Sequence, residues 1–179
     1  MKFERTRFSG LVLVHSERSA DERGHFARLF CEDEFAREGL QMRFPQTSVS
    51  FNLKAGTIRG MHFQRSPHAE IKLIRCSRGA IFDVLVDLRP EEPTFCHWQG
   101  FELSAENNLA VYVPRGFAHG FQTLIDESEV TYAITPSFVS GFGGGVRWDD
   151  PAIDILWPLP VSVISERDNA WPRIENNRS

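Results

Sequence analysis

At 179 residues, 41% hydrophobic and without an internal repeat, the chain can bury one sizeable core, and a single domain over residues 1–179 is expected. A net charge of -4 with no basic cluster argues against a nucleic-acid footprint, and the longest apolar runs, such as Ala80-Ile81-Phe82, are too short to cross a membrane. No apolar signal segment follows Met1-Lys2-Phe3-Glu4-Arg5, so a cytoplasmic location is expected.

In chain order, runs rich in β-branched and aromatic residues predict strands over residues 10–16, 27–31, 47–53, 57–63, 71–76, 80–88, 96–103, 109–113, 119–124 and 129–134. Turn signals separate them, among them Lys54-Ala55-Gly56, Ser77-Arg78-Gly79 and Arg89-Pro90-Glu91-Glu92-Pro93. Residues 32–38 alone have a helical look, with Phe35 as an apolar anchor and Gly39 as a stop. Short strands without alternating helices predict an all-β sandwich or jelly roll with short peripheral helices. The tail from Trp148 onward carries large apolar residues among its prolines and is expected to pack on the barrel. Cys31, Cys76 and Cys96 lack the paired spacing of a zinc site and read as reduced structural thiols.

The densest chemistry lies in Gly56-Thr57-Ile58-Arg59-Gly60-Met61-His62-Phe63-Gln64. Strict alternation would place Arg59 and Met61 on one face and Ile58, Gly60, His62 and Gln64 on the other. A second histidine stands in Pro114-Arg115-Gly116-Phe117-Ala118-His119-Gly120-Phe121, and the two point to one pocket. Read alone, each is more readily a buried, hydrogen-bonded histidine than a functional one. Lys72, in Ala69-Glu70-Ile71-Lys72-Leu73, adds a cation that could equally be an exposed strand lysine.

Pro114-x-Gly116-x-x-His119 resembles the second half of the pattern carried by double-stranded β-helix (cupin) proteins. Metal-binding cupins place His-x-His in the first half, where this chain has His62-Phe63-Gln64. A pocket without metal or other cofactor is therefore expected, the alternative being a two-histidine, one-carboxylate site using Glu70. Without a metal, protein groups must move protons, and imidazole suits that task near neutral pH.

Further stretches carry a closer resemblance: Asp21-Glu22-Arg23-Gly24-His25-Phe26, Ile71-Lys72-Leu73, Asp83-Val84-Leu85-Val86-Asp87-Leu88-Arg89, Trp148-Asp149-Asp150-Pro151 and Ser165-Glu166-Arg167-Asp168. With the two histidine segments and in this order, they make the chain similar to the dTDP-4-dehydrorhamnose 3,5-epimerase family, whose members are cupin-fold enzymes of nucleotide-sugar metabolism. The resemblance implies that His62 is a general base oriented by Asp168 and that Tyr132 is the proton donor across the sugar; a cation by the C4 oxygen would stabilise the enolate, and Lys72 is the candidate for it. It further implies nucleotide-sugar contacts at Arg23, Phe26, Gln46, Arg59, His119 and Arg167. Arg59 and Arg23 would meet the diphosphate. A homodimer is implied, with the N-terminal strand exchanged so that Arg23 and Phe26 serve the neighbour's pocket.

Three positions depart from the family pattern. Arg28 stands where better-known members place a glutamate near the nucleotide, and Phe138 replaces a base-stacking tyrosine. The segment Val139-Ser140-Gly141-Phe142-Gly143-Gly144-Gly145 reads as a flexible loop, able to act as a lid, where the family usually carries a proline and glutamates. The base and the carbon inverted therefore stay open: a dTDP-linked 4-keto-6-deoxyhexose is the simplest substrate, with single-carbon epimerisation or a CDP-linked sugar as alternatives. From other classes, a non-catalytic nucleotide-sugar-binding cupin and a metal-dependent cupin oxygenase are the rivals.

Overall fold

The computed structural model describes residues 1–174. Among these residues, thirteen strands and two short helices follow one another as β1 (Lys2–Arg5), β2 (Val12–His15), β3 (Arg18–Asp21), β4 (Gly24–Ala27), α1 (Glu32–Arg37), β5 (Gln46–Asn52), β6 (Ile58–Gln64), β7 (Ile71–Arg78), β8 (Ala80–Asp87), β9 (Trp98–Ser104), β10 (Leu109–Val113), β11 (Phe117–Thr123), β12 (Ser128–Thr135), β13 (Gly143–Gly145) and α2 (Glu166–Asn169). A six-stranded sheet in the order β1-β2-β10-β7-β12-β5 faces a five-stranded sheet in the order β13-β6-β11-β8-β9. This is the expected double-stranded β-helix jelly roll, with helices only at its periphery.

The facing sides alternate as half-buried strands should. From β7 and β12 come Ile74, Cys76 and Val130, from β8 and β11 come Ile81, Leu85, Phe117 and Phe121, and all belong to one buried apolar cluster. Each such aliphatic or aromatic side chain contributes roughly 1.5–3 kcal/mol by leaving water. The Cys76 thiol, inside this cluster, is pushed by burial up to about 11, so it packs as a hydrophobe and not as a nucleophile. The outer face of the five-stranded sheet is covered by a second cluster that includes Met61, Val84, Val86 and Ile153, with Trp157 and Ile174 packed on it. The proline-rich tail thus docks on the barrel, as its apolar residues predict.

Helix α1 begins with Glu32, Asp33 and Glu34, which complement the positive end of the helix, and buries Phe35. Gly39, with φ of +69°, takes the left-handed conformation that stops it.

The strand expected over 27–31 lies earlier, as β4, paired with β3 in a separate two-stranded hairpin. All four residues of β3 are exposed, so no apolar alternation announces them. The apolar run instead serves helix packing: the Phe30 ring lies 4.8 Å from that of Phe35 and 5.8 Å from that of Phe44. Strand β1 is likewise hidden among charged residues.

The glycine-rich segment differs from the expected loop in its second half. Gly143–Gly145 form edge strand β13 against β6, with Gly145 opposite His62. A Cβ at Gly144 would meet the Phe63 ring at 2.8 Å, and one at Gly145 would meet the Trp171 ring at 2.4 Å. These glycines leave room for aromatic rings to approach the backbone closely, which is a packing role.

Candidate active site

The register of β6 against β11 departs from regular pairing between two matched pairs, His62 with His119 and Arg59 with Phe121. Gly60 and Met61 therefore face the single residue Gly120, which makes a β-bulge. A Cβ at Gly60 would lie 2.6 Å from the Gly120 Cα, so only glycine allows this approach. The bulge corrects the alternation read from the sequence. Met61 turns outward and is buried in the outer cluster, whereas Arg59 turns inward and lines one cavity together with His62 and Gln64.

That cavity, of about 320 Å³, is lined by Arg59, His62, Gln64, Glu70, Lys72, His119, Tyr132, Phe138 and Arg167, among others. Its size falls at the lower end of small-molecule sites. His62 reaches it from the five-stranded sheet, while Lys72 on β7 and Tyr132 on β12 reach it from the six-stranded sheet. The imidazole and the phenol thus approach one space from facing walls.

Asp168 completes the His62 side. Helix α2 is capped by Ser165, whose hydroxyl accepts a hydrogen bond from the Asp168 backbone N–H at 3.1 Å. The carboxylate so placed lies 2.6 Å, Oδ1 to Nε2, from His62 and accepts the Gly60 N–H on its other oxygen at 3.2 Å. Burial alone would raise this carboxyl, but the hydrogen bond and charge of His62, with the Gly60 N–H, outweigh it and hold it below the ordinary carboxylate range. With Nε2 engaged, His62 keeps Nδ1 for a proton from elsewhere. The Trp171 ring packs edge-on at 6.2 Å from the imidazole, with the Arg167 guanidinium 5.2 Å over the indole.

The opposite wall is more deeply enclosed. Burial, reinforced by the charge of Asp83, pushes the Tyr132 phenol above its ordinary value against the opposing cation of Arg59. Tyr132 is therefore a protonated donor at neutral pH. His119 packs edge-on against it at 6.0 Å and pairs with Asp83, Nε2 to Oδ1, at 2.6 Å. Burial lowers the His119 pKa despite the pull of Asp83, so this imidazole is held neutral. Lys72 Nζ lies 2.8 Å from Glu70 Oε1 and 3.5 Å from the His62 carbonyl oxygen. Arg59 is fixed by its Nε donating to Asn52 Oδ1 at 2.7 Å.

Of the residues expected to touch substrate, His62, Lys72, Tyr132, Arg59, His119, Phe138 and Arg167 line the cavity. Gln46 does not; its Oε1 accepts the Phe138 backbone N–H at 2.9 Å and so anchors a lining residue. Arg23 and Phe26 sit on the β3–β4 hairpin, where Arg23 pairs with Asp21 and Phe26 is 72% exposed, away from this chain's own cavity. Arg28, expected to place a positive charge in the pocket, is instead 3.1 Å from Glu34 of α1. Like Arg23 and Phe26 just before it, it lies outside this chain's own cavity.

Glu70 is spoken for by Lys72 and by Gln64 Nε2 at 3.2 Å, and both histidines spend a nitrogen on an aspartate. Among the described residues no three His, Cys, Asp or Glu side chains converge as metal ligands, so the Glu70-based metal site has no geometry behind it. Asp83, read earlier only within a motif, emerges as a member of the site, with its Oδ2 buried and unpartnered among the described residues. A carboxylate inside the apolar run Ile81-Phe82-Asp83-Val84-Leu85 was the available signal. Trp171 gave none, because its role depends on the tail's path.

The family model for dTDP-4-dehydrorhamnose 3,5-epimerase matches residues 5–176. A protein of that name from Methanothermobacter thermautotrophicus is 41% identical over 98% of this chain and 96% of its own length. The crystal structure of dTDP-4-dehydrorhamnose 3,5-epimerase from Bacillus anthracis, with TDP and PPi bound, superposes with a TM-score of 0.94 at 39% identity, covering 97% of this chain and 99% of the other. That of the Legionella pneumophila epimerase RmlC in complex with dTDP-4-keto-L-rhamnose gives 0.88 at 31% identity, covering 97% and 98%. These likenesses make the chain an epimerase that belongs to the dTDP-4-dehydrorhamnose 3,5-epimerase family.

Proposed function

We propose that this single-domain chain inverts C3 and C5 of dTDP-4-dehydro-6-deoxyglucose, giving the 4-dehydrorhamnose, without a cofactor. The observation that carries this is the placement of His62, backed by Asp168, and Tyr132 on facing walls of one cavity. Hydrogens beside a ketone are acidic because the carbanion delocalises onto the carbonyl oxygen as an enolate. His62 Nδ1 takes the proton, Asp168 stabilises the resulting imidazolium, and Tyr132 returns a proton to the other face of the same carbon. Each such group contributes typically about 10²- to 10⁴-fold in rate. Lys72 has three N–H donors, two of them directed at Glu70 and the His62 carbonyl, and the remaining one serves the enolate oxygen.

Arg59, at the cavity mouth, receives the diphosphate, and Phe138 offers its ring to the base. Arg23 and Phe26 serve the cavity of a second copy in a homodimer. In support, the β3–β4 hairpin pairs with neither large sheet, and edge strand β5 leaves Val49 and Phe51 exposed.

Incubation with the 4-keto sugar in deuterated water should place deuterium at C3 and C5. A folded protein that incorporates none overturns the reading, and incorporation at one carbon makes it a single-carbon epimerase. A parallel run with the CDP-linked sugar decides the base. For the shared cavity, mixing His62→Ala with Arg23→Ala chains should restore activity that neither homodimer has; no recovery removes the strand-exchange claim.

A further inference from the structure

Gln64 is 4% exposed and uses both ends of its amide. Its Oε1 accepts the backbone N–H of Val139 at 2.8 Å, next to Phe138 at the cavity rim. Its Nε2 donates to Glu70 Oε2 at 3.2 Å and more weakly to the His68 carbonyl at 3.4 Å. Glu70 passes the connection on, its other oxygen lying 2.8 Å from Lys72 Nζ with both side chains 8% exposed. From Phe138 to Lys72 the links are therefore a backbone amide, a carboxamide, a carboxylate and an ammonium, largely shielded from water. A primary amide cannot rotate to improve one of these bonds without weakening the other. Shielding keeps each bond strong and leaves a broken one uncompensated.

We propose that Gln64 and Glu70 are positioning residues that couple the seating of the Phe138–Val139 segment to the placement of the Lys72 ammonium. Neither needs to touch the reacting carbon. When the segment settles on the nucleotide, Gln64 draws Glu70, and Glu70 sets where the lysine charge stands in the cavity. The coupling deepens the epimerase reading above, on which its catalytic meaning rests. Binding of the nucleotide, remote from the chemistry, would thereby be expressed in turnover.

The chain has three lysines, Lys2, Lys54 and Lys72, so ¹³C-lysine labelling gives few signals, and Lys72→Met assigns the relevant one by its loss. Truncation by Phe138→Ala should shift the Lys72 Cε resonance in the otherwise unchanged protein and leave it unmoved in a Gln64→Met background. An unmoved signal in both, or an equal shift in both, overturns the coupling. Because this readout needs no turnover, it decides the matter even if the deuterium experiment fails. In kinetics, Phe138→Ala should lower kcat as well as raise KM, whereas beside Gln64→Met it should raise KM alone. Additive effects on kcat mark Gln64 as merely structural. If Gln64→Met does not fold, Gln64→Asn, one methylene too short to span both partners, takes its place in the same cycle. Glu70→Gln, which removes the charge and replaces one of the two accepting oxygens by an NH2 donor, breaks one link and should abolish the Phe138-dependent shift, an undiminished shift overturning the coupling; loss of folding there leaves the Gln64 result to decide.

Discussion

The cavity holds two imidazole–carboxylate pairs of the same 2.6 Å separation, His62 with Asp168 and His119 with Asp83, and they differ in what surrounds them. The His62 side chain is 40% exposed and its aspartate comes from the first turn of α2, outside the barrel wall. The His119 side chain is 5% exposed and its aspartate is completely buried within β8. An accessible imidazole can exchange a proton with a ligand, while an enclosed one is held neutral and organises its neighbours. In the proposed mechanism the same two residue types thus serve proton chemistry at one position and architecture at the other, and burial separates them.

The largest expected effect of breaking this contrast is on turnover. His62→Ala should lower kcat by about 10²- to 10⁴-fold in steady-state kinetics while dTDP titration gives near-normal affinity. Near-normal turnover would move the base elsewhere. His119→Ala should act chiefly on stability, because it strands the buried Asp83 carboxylate. A loss of about 3 kcal/mol or more is expected, a drop of roughly 6–12 °C in Tm for a chain of this size. Calorimetry showing an unchanged Tm would refute the architectural role. Asp168→Asn, which keeps the shape and removes the charge, should reduce kcat less than His62→Ala does, with KM little altered.

The smallest effects are in pH dependence, where the two pairs again part. His119 has a lowered folded pKa, so the unfolded chain takes up its proton first. Stability should fall as pH drops below about 6.5, by at most about 1.4 kcal/mol per pH unit. The slope should vanish in His119→Gln. Asp168 is depressed in the folded state, so its contribution is present above the ordinary value near 3.8 and is lost as pH falls through the lower folded one. Tm measured from pH 3 to pH 8 for the parent and for Asp168→Asn tests this.

Residue types alone pointed to His62 and His119 sharing a pocket, with Lys72 as a nearby cation; Tyr132 and Asp168, which read alone as strand core and a turn residue, were singled out only by the family resemblance. Asp83 was legible as a motif member but not as a partner of His119, since pairing across β8 and β11 depends on register. Arg59 was placed on the wrong face because a bulge leaves little trace in side chains; only Gly60 and Gly120 hint at it. The fold was legible wherever one face of a strand is buried. It was not where a strand is exposed on both faces, as in β3, or made of glycine, as in β13.

The bulge at Gly60 and Met61 also makes β6 a strand read in two phases, correct for Ile58 and Arg59 on one side and for His62 to Gln64 on the other. Removing Met61 would restore unbroken pleating and rotate either the guanidinium or the imidazole through the sheet. A one-residue deletion, with no charged or polar side chain lost, would then separate recognition of the anionic half of a ligand from the chemistry on its other half.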